Sequence, residues 1–197
     1  METFDATDAE GRLPAGWVST VTGEGNPIWE VVADASAPSP PGVLLQSGIV
    51  PKPSFPLCLN RGTSLRDGFV EVKFRTIRGQ LDQAAGLVWR ARDAANYYIC
   101  RANALEDNVV LYKVENGKRQ ALDILGRTGG YGVDALVPAN VWNTLRVEFQ
   151  GPRFAVSLNG QQLFAVDDAT FAEAGNVGLW TKADSVVAFD DFRYGPR

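Results

Sequence analysis

The sequence contains no histidine and only two cysteines among its 197 residues. Histidine is the most frequent general base and a frequent zinc ligand, so any catalysis must rely on carboxylates, lysine, tyrosine or arginine. Two cysteines are too few for a zinc site. Cys58 and Cys100 both lie in apolar, strand-like runs, where a free cysteine usually behaves as a small buried hydrophobic residue. A disulfide between them is the alternative.

The chain also lacks basic runs and long apolar runs. Its net charge is −4, whereas a nucleic-acid-binding surface requires clustered lysine and arginine. No apolar run approaches the roughly 20 residues that span a bilayer. We therefore expect neither nucleic-acid binding nor membrane insertion. No signal-peptide pattern follows Met1, so we expect a cytoplasmic protein, or a secreted or periplasmic one if a leader has been removed.

Short runs of β-branched and aromatic residues recur along the chain, separated by turn signals. Val70, Val72 and Phe74 alternate with charged residues, as in an antiparallel strand with one solvated face. Asn116-Gly117 and Asn159-Gly160 are strong hairpin signals. A short helix is plausible only in residues 167–175. The pattern predicts an all-β fold, a two-sheet antiparallel jelly-roll sandwich with at most one short helix, formed as a single domain by residues 1–197.

Several motifs together resemble the concanavalin A-like lectin/glucanase superfamily. They are Phe4-Asp5 followed by Pro14, Gly16 and Trp17, then DGFVEVKF, AGLVWR, LRVEFQGPRFAVSLNG and VGLWTKADSVVAFDDF. The nearest branch is the set of laminin-G-like sandwich domains that includes the 3-keto-disaccharide hydrolase family. The resemblance covers nearly the whole chain. It implies a sandwich whose concave sheet binds glycans, but it does not fix an activity, because such folds host binding modules and hydrolases alike.

The chain departs from the glucanase pattern at its carboxylates. The signature E-x-D-x-x-E, which places a nucleophile and an acid about 5–5.5 Å apart, is absent. The carboxylates that remain as candidates for acid/base work in a hydrolase or lyase are Glu106, Asp107 and Asp184. In that alternative, Arg90 and Arg101 orient the sugar. The chain has no histidine to match those often found in pockets of the 3-keto-disaccharide hydrolases.

The central stretch, residues 83–113, carries the candidate ligand site. If Leu87 and Trp89 pack inward, alternation places Arg90 on the opposite face. Aromatic, amide and cationic side chains on one face suit a sugar, because rings stack on its C–H patches while polar groups bond its hydroxyls. The predicted ligand-binding residues are Arg90, Tyr97, Arg101, Asn103, Asn108, Tyr112, Trp180 and Lys182.

A structural calcium ion is a further candidate. Asp190 and Asp191 near one end of the chain, with Asp5 near the other, resemble positions where jelly-roll domains bind Ca²⁺ through six to eight oxygens. The alternative is a pair of hydrogen-bonded aspartates that ends a strand.

The sequence therefore favours a non-catalytic, carbohydrate-binding β-sandwich. A glycoside hydrolase or lyase related to the 3-keto-disaccharide hydrolases is the first alternative. A protein-interaction domain, with the arginine-rich face meeting a partner, is the second.

Overall fold

The computed structural model describes residues 1–4 and 11–196, which form fifteen strands. In chain order they are β1 (Trp17–Thr22), β2 (Trp29–Ala33), β3 (Gly42–Gln46), β4 (Phe55–Leu65), β5 (Gly68–Arg78), β6 (Ala84–Asp93), β7 (Asn96–Asn103), β8 (Asn108–Glu115), β9 (Lys118–Ala121), β10 (Val133–Asp134), β11 (Asn143–Gln150), β12 (Arg153–Leu158), β13 (Gln161–Asp167), β14 (Gly175–Thr181) and β15 (Val186–Gly195).

The strands form two antiparallel sheets. The first sheet has the order β1-β4-β14-β6-β7-β8-β10, with β9 paired to β8 beside β10. The second has the order β13-β12-β11-β5-β15-β3-β2. Hairpin neighbours alternate with pairs from distant parts of the chain, such as β4 with β14 and β5 with β15, as in a jelly roll. The prediction of an all-β, two-sheet sandwich is confirmed.

The main core lies between the sheets. Trp89 of the first sheet is at its centre, with ring centroids 5.5 Å from Tyr98, 5.9 Å from Phe149 and 5.3 Å from Phe154. Leu87 faces the same core. Because Phe149 and Phe154 belong to the second sheet, these ring contacts tie the two layers together, in the offset and edge-to-face geometries that aromatic pairs prefer.

Local sequence signals explain the hairpins and the solvated strand. Asn116 and Gly117 both have positive φ, at 51° and 76°, as do Asn159 and Gly160, at 50° and 81°. Paired positive φ values are what a type I′ turn requires, and asparagine and glycine tolerate them. In β5 the valines predicted to face inward are fully buried and the alternate residues are partly exposed, which confirms that prediction.

The segment between β13 and β14 contains no helix. Asp168 accepts a hydrogen bond from the backbone nitrogen of Thr170 at 2.8 Å, as a helix-starting residue would. The next groups bond elsewhere: the nitrogen of Phe171 donates to the Tyr98 hydroxyl at 3.0 Å, and its carbonyl accepts from Arg90 at 2.9 Å. Helix hydrogen bonds cannot form there because tertiary contacts use the backbone groups.

Both cysteines are free and buried. Burial raises the pKa of each thiol. The hydrophobic role predicted for them is confirmed, and the disulfide alternative is wrong. None of the described residues forms a helix long and apolar enough to cross a membrane.

Candidate functional site

The outer face of the first sheet, away from the main core, is concave. The guanidinium carbon of Arg119 in β9 lies 4.7 Å from the ring centroid of Phe55 in β4. Four strands separate β4 from β9 in the sheet, and neighbouring strands lie about 4.8 Å apart. In a flat sheet these side chains could not meet, so the sheet must curl strongly around this face. We call it the concave face.

Much of the concave face is filled by its own side chains. A second apolar cluster covers it, including Leu57, Val88, Tyr97, Ile99 and Trp180. The Trp180 ring stacks on Phe55 with centroids 5.2 Å apart. Tyr97 and Trp180 lie on the face the sequence predicted, but neither has any exposed surface. They form the floor beneath any ligand and cannot stack on a sugar themselves.

A group of interlocked polar residues occupies one end of the concave face. We call it the polar cluster; its members are Asp82, Arg101, Asn103, Glu106, Asn108, Tyr131 and Lys182. It lies where β7 and β8 pair, because register places Asn103 directly opposite Asn108. The predicted residues Arg101, Asn103, Asn108 and Lys182 thus come together, and predicted Tyr112 adjoins them through Tyr131.

Arg101 is the centre of the polar cluster and is fully buried. Its Nη2 donates to Glu106 Oε2 at 2.7 Å and to the Tyr131 hydroxyl at 3.0 Å, and its Nη1 donates to Asn108. Burial alone would lower the pKa of Arg101, but the neighbouring Tyr112, Tyr131 and Glu106 raise it above its usual value. The arginine is therefore a permanent cation beneath the surface.

Asn103 links the two carboxylates of the polar cluster. Its Nδ2 donates to Asp82 Oδ1 at 3.0 Å and to Glu106 Oε1 at 3.2 Å. Asp82 is ion-paired with Lys182 at 2.9 Å and with Lys52 at 3.4 Å. The Asp82 side chain is 1% exposed, whereas that of Glu106 is 38% exposed. Only Glu106 presents a carboxylate to solvent here.

Glu106 remains charged at neutral pH. Burial acts to raise the pKa of its carboxyl, but the charge of Arg101 and the hydrogen bonds from Asn108 and Arg101 lower it overall. A carboxylate held in this way is a hydrogen-bond acceptor with a fixed orientation.

Tyr131 was not predicted as a site residue. The glycine-rich segment GRTGGYG between β9 and β10 carries it over the concave face, where it bonds Arg101 and Tyr112. The residue is 48% exposed. The one available signal was a single aromatic residue inside a glycine-rich loop.

Asp107 and Asp184 hold the loops around the polar cluster. Asp107 Oδ1 accepts a hydrogen bond from the backbone nitrogen of Val137 at 2.9 Å. The carboxylate of Asp184 accepts from the backbone nitrogens of Gln80, Leu81 and Asp82 at 2.7–3.2 Å, and these hydrogen bonds lower its pKa against the effect of burial. Asp184 thereby positions Asp82.

Arg90 does not lie on the concave face, so the prediction of its position is wrong. Its φ of 48° marks a β-bulge, with register shifts between Trp89 and Asp93, and a bulge re-aims a side chain. Its guanidinium carbon lies 5.5 Å from the Phe154 ring centroid at one end of the main core. Its nitrogens donate to the carbonyls of Arg66, Gly151 and Phe171 and to Asp67.

Asp190 and Asp191 fasten a proline-rich loop. The Asp190 carboxylate accepts a hydrogen bond from the backbone nitrogen of Ser39 at 2.8 Å, and the Asp191 carboxylate accepts one from the Ser39 hydroxyl at 2.7 Å. Asp191 is also ion-paired with Lys73 at 2.7 Å. Asp5 lies outside the described residues. Within residues 1–4 and 11–196, no three acidic, cysteine or histidine side chains are grouped to hold a metal, and calcium binding stays a prediction.

The fold and motifs define a concanavalin A-like jelly-roll sandwich. The chain belongs to the family of 3-keto-alpha-glucoside-1,2-lyase-like domains, whose model matches residues 2–194. This confirms the resemblance predicted from the sequence. A search of curated proteins found no significant match.

Solved structures share the fold at low sequence identity. The carbohydrate binding module CBM66 from Bacillus subtilis superimposes with a TM-score of 0.69 at 21% identity, covering 91% of this chain and 94% of that one. A mutant of the GH43 protein BlXynB from Bacillus licheniformis gives 0.63 at 18% identity, covering 100% and 39%. The Bacillus licheniformis beta-glucanase gives 0.56 at 15% identity, covering 96% and 97%.

Proposed function

We propose that this domain binds a saccharide at the polar cluster of the concave face and does not itself catalyse a reaction. The observation that carries the proposal is the fully buried Arg101, whose guanidinium is shared among Asn108, Glu106 and Tyr131. Burying a charged network in a sheet is often no more stable than an apolar packing of the same volume. Its neighbours across the sheet, Gly86 and Val110, are apolar, so stability alone does not explain an arginine there.

The exposed groups of the polar cluster match the needs of a sugar. Glu106 offers acceptor lone pairs for hydroxyl donors, and the partly exposed Lys182 ammonium offers donors to hydroxyl oxygens. The half-exposed ring of Tyr131 offers an apolar face to a sugar's C–H patch. All three are held by hydrogen bonds or ion pairs to buried partners, so little side-chain entropy is lost on binding.

The comparisons support a saccharide as the ligand class. The family description refers to a glucoside, and the structural neighbour from Bacillus subtilis is described as a carbohydrate binding module. These are properties of the relatives. They make α-glucosides the natural first probes for this chain.

The carboxylates support binding without catalysis. A glycosidase needs an acid and a nucleophile or base that both reach the scissile bond. Asp82 is buried beneath two lysines, and Asp107 and Asp184 accept backbone hydrogen bonds. Of the polar cluster's two carboxylates in the described part of the chain, only Glu106 is accessible, and the exposed Asp107 beside it is bonded to the backbone nitrogen of Val137.

A lyase or hydrolase is the second candidate, favoured by the spacing of two carboxylates. The bonded oxygens of Asp82 and Glu106 are no more than about 6 Å apart, because Asn103 Nδ2 lies 3.0 Å from one and 3.2 Å from the other. Retaining glycosidases place their two carboxyl groups at about 5–5.5 Å. This activity would require Lys182 to release Asp82. Its test is product formation from a 3-keto-α-glucoside, with Glu106→Gln as the inactive variant.

The binding proposal is tested on a glycan array that includes neutral and acidic saccharides and α-glucosides. We compare the wild type with Glu106→Gln, Lys182→Gln and Tyr131→Phe. Glu71→Gln is the matched control, since Glu71 is ion-paired with Arg146 at 3.2 Å on the other sheet. We expect binding that weakens about tenfold or more in the three site variants and is unchanged in the control, with melting temperatures recorded for all.

Binding that survives all three substitutions would place the ligand elsewhere and refute the proposed site. No binding to any saccharide would refute the function and leave the protein-interaction alternative. Turnover of the 3-keto-α-glucoside that Glu106→Gln abolishes would favour the second candidate.

A further inference from the structure

Arg119 is a cation that aromatic rings hold in place, and no carboxylate among the described residues pairs with it. Its guanidinium carbon lies 4.4 Å from the ring centroid of Tyr112, 4.7 Å from that of Phe55 and 5.8 Å from that of Trp180. Its Nη1 is buried and has no hydrogen-bond partner in the described structure. Cation–π attraction orients the group without using its in-plane N–H donors. Because Nη1 is buried, a ligand in the groove would have to bind the Nε–Nη2 edge of the guanidinium.

This arrangement differs from that of three other arginines in the chain. Arg101, Arg146 and Arg153 each have a carboxylate partner, in Glu106, Glu71 and Asp167 respectively. No ion pair of Arg119 occurs among the residues that the structure describes. The contacts with the three rings therefore fix a guanidinium fork whose natural partner, a planar anion, is not supplied by these residues.

Arg119 borders a groove at the open side of the concave face. The groove is lined by Pro53, Phe55, Gly117, Lys118 and Arg119. It continues, through the shared residues Pro53 and Gly117, into a depression lined by Gly23, Glu24, Pro51, Lys52 and Ser54. The lining carries three cations, Lys52, Lys118 and Arg119, against the single carboxylate of Glu24. A positive groove is notable in a chain whose net charge is −4.

Lys52 connects this groove to the polar cluster. It lies 3.4 Å from Asp82, a carboxylate that Lys182 already contacts at 2.9 Å. The carboxylate of Asp82 is therefore ion-paired with two lysines. Because the Lys52 side chain is 46% exposed, its ammonium can turn toward a ligand in the groove while Asp82 keeps Lys182.

We infer that the groove at Arg119 and Lys52 binds the anionic group of an acidic saccharide. The inference rests on the proposed function and specifies its ligand class. A carboxylate of a uronic acid residue would accept two parallel N–H bonds from the Nε–Nη2 edge of Arg119, since Nη1 is buried. Lys52 would add a second positive charge, and the adjoining polar cluster would take the neutral hydroxyls of the same chain.

The experiment compares ligands that differ only in charge. Calorimetry is used to titrate the protein with uronate trisaccharides of the galacto, gluco and manno series, each beside its fully methyl-esterified form. A 6-sulfated galactotriose distinguishes a sulfate ester from a carboxylate as the source of the anion. The variants are Arg119→Gln and Arg119→Lys. Arg12→Gln is the control, because Arg12 is exposed in the segment that pairs with β2 of the second sheet.

We expect at least one acidic trisaccharide to bind about 10- to 100-fold more tightly than its uncharged counterpart, in line with the strength of charge-assisted hydrogen bonds. Arg119→Gln should remove that preference, Arg119→Lys should restore part of it, and Arg12→Gln should leave it intact. The preference should fall with added salt.

Equal affinity for the charged and uncharged forms, or an acid preference that Arg119→Gln does not change, would overturn the inference. So would a failure of every acidic ligand to bind. If neutral saccharides still bind and depend on Glu106, the proposed function stands while this inference fails. If no saccharide of either kind binds, both fail.

Discussion

The hydroxyl of Tyr131 accepts a 3.0 Å hydrogen bond from the guanidinium of Arg101, joining a surface loop to the centre of a sheet. Burial alone would raise the pKa of Tyr131, but its hydrogen bond with Tyr112 and the charge of Arg101 lower it. Burial raises the pKa of Tyr112. When this pair loses its first proton, the phenolate that remains is thus stabilised by the buried arginine.

The Tyr131→Phe variant should lack the phenol whose pKa is lowered. The wild type should show a phenol that ionises below the usual tyrosine range near 10, measured by ultraviolet difference absorption at alkaline pH, and the variant should not. Because the loop loses its hydrogen bonds to Arg101 and Tyr112, we also expect saccharide affinity to fall about tenfold. Tyr194→Phe is the control. A titration curve that is the same in wild type and variant would contradict the assignment.

Arg90 should be essential for stability and irrelevant to ligand binding. Arg90→Lys keeps the charge but cannot reach the three carbonyls of Arg66, Gly151 and Phe171 with a planar fork. Losing partners of a buried charge network costs about 3–5 kcal/mol. We expect a loss of this order in the free energy of unfolding in urea, with no change in saccharide affinity for the folded protein. If Arg90→Lys weakened saccharide binding without changing the free energy of unfolding, Arg90 would have to be counted among the ligand-binding residues.

The sandwich could be predicted because its signals are local. Alternation of Val70, Val72 and Phe74 with charged residues determines which face of β5 is buried, and Asn-Gly pairs with positive φ mark two hairpins. Strand order was not predictable in this way. It depends on pairings such as that of β14 with β4 and β6, which join residues more than 80 positions apart.

The candidate site was harder to predict because three features that decide which side chains reach it do not follow from strand alternation. A bulge at Arg90 reversed the expected side-chain direction. The curl of the first sheet buried Trp180 beneath Phe55 and Arg119. A loop far along the chain brought Tyr131 onto Arg101. The alternation of side chains along a strand correctly placed Arg101 and Asn103 on one face, but it gave no measure of how exposed each side chain is.

The two thiols should be unreactive in the folded protein. Cys58 and Cys100 are fully buried, and burial raises the pKa of both, so almost no thiolate is present near neutral pH. A thiol reagent such as dithionitrobenzoate should therefore label neither residue under native conditions and both in denaturant. Labelling of one thiol at a rate independent of unfolding would show a local opening at that strand.

Asp190 should make stability depend on pH in the direction opposite to most aspartates. Burial raises the pKa of Asp190 to about 6, above its ordinary value of 3.8. Between these two values the folded state binds the proton more tightly than the unfolded state, so this group's contribution to stability falls as pH rises from 4 to 6. A shift of this size corresponds to at most about 3 kcal/mol.

The Asp190→Asn variant isolates that contribution. Asparagine cannot ionise, although it loses one of the two acceptors that bond Ser39 and Asp191, so it should be less stable than the wild type at pH 4. As pH rises to 7, the wild type loses stability at this position and the variant does not, and the difference between their free energies of unfolding should shrink. Urea denaturation at several pH values, with chelator present, measures it. A difference that is constant across this range would show that Asp190 has the same pKa in the folded and unfolded states. The hydrogen bonds from the backbone nitrogens of Ser39 and Asp191 would then offset the effect of burial.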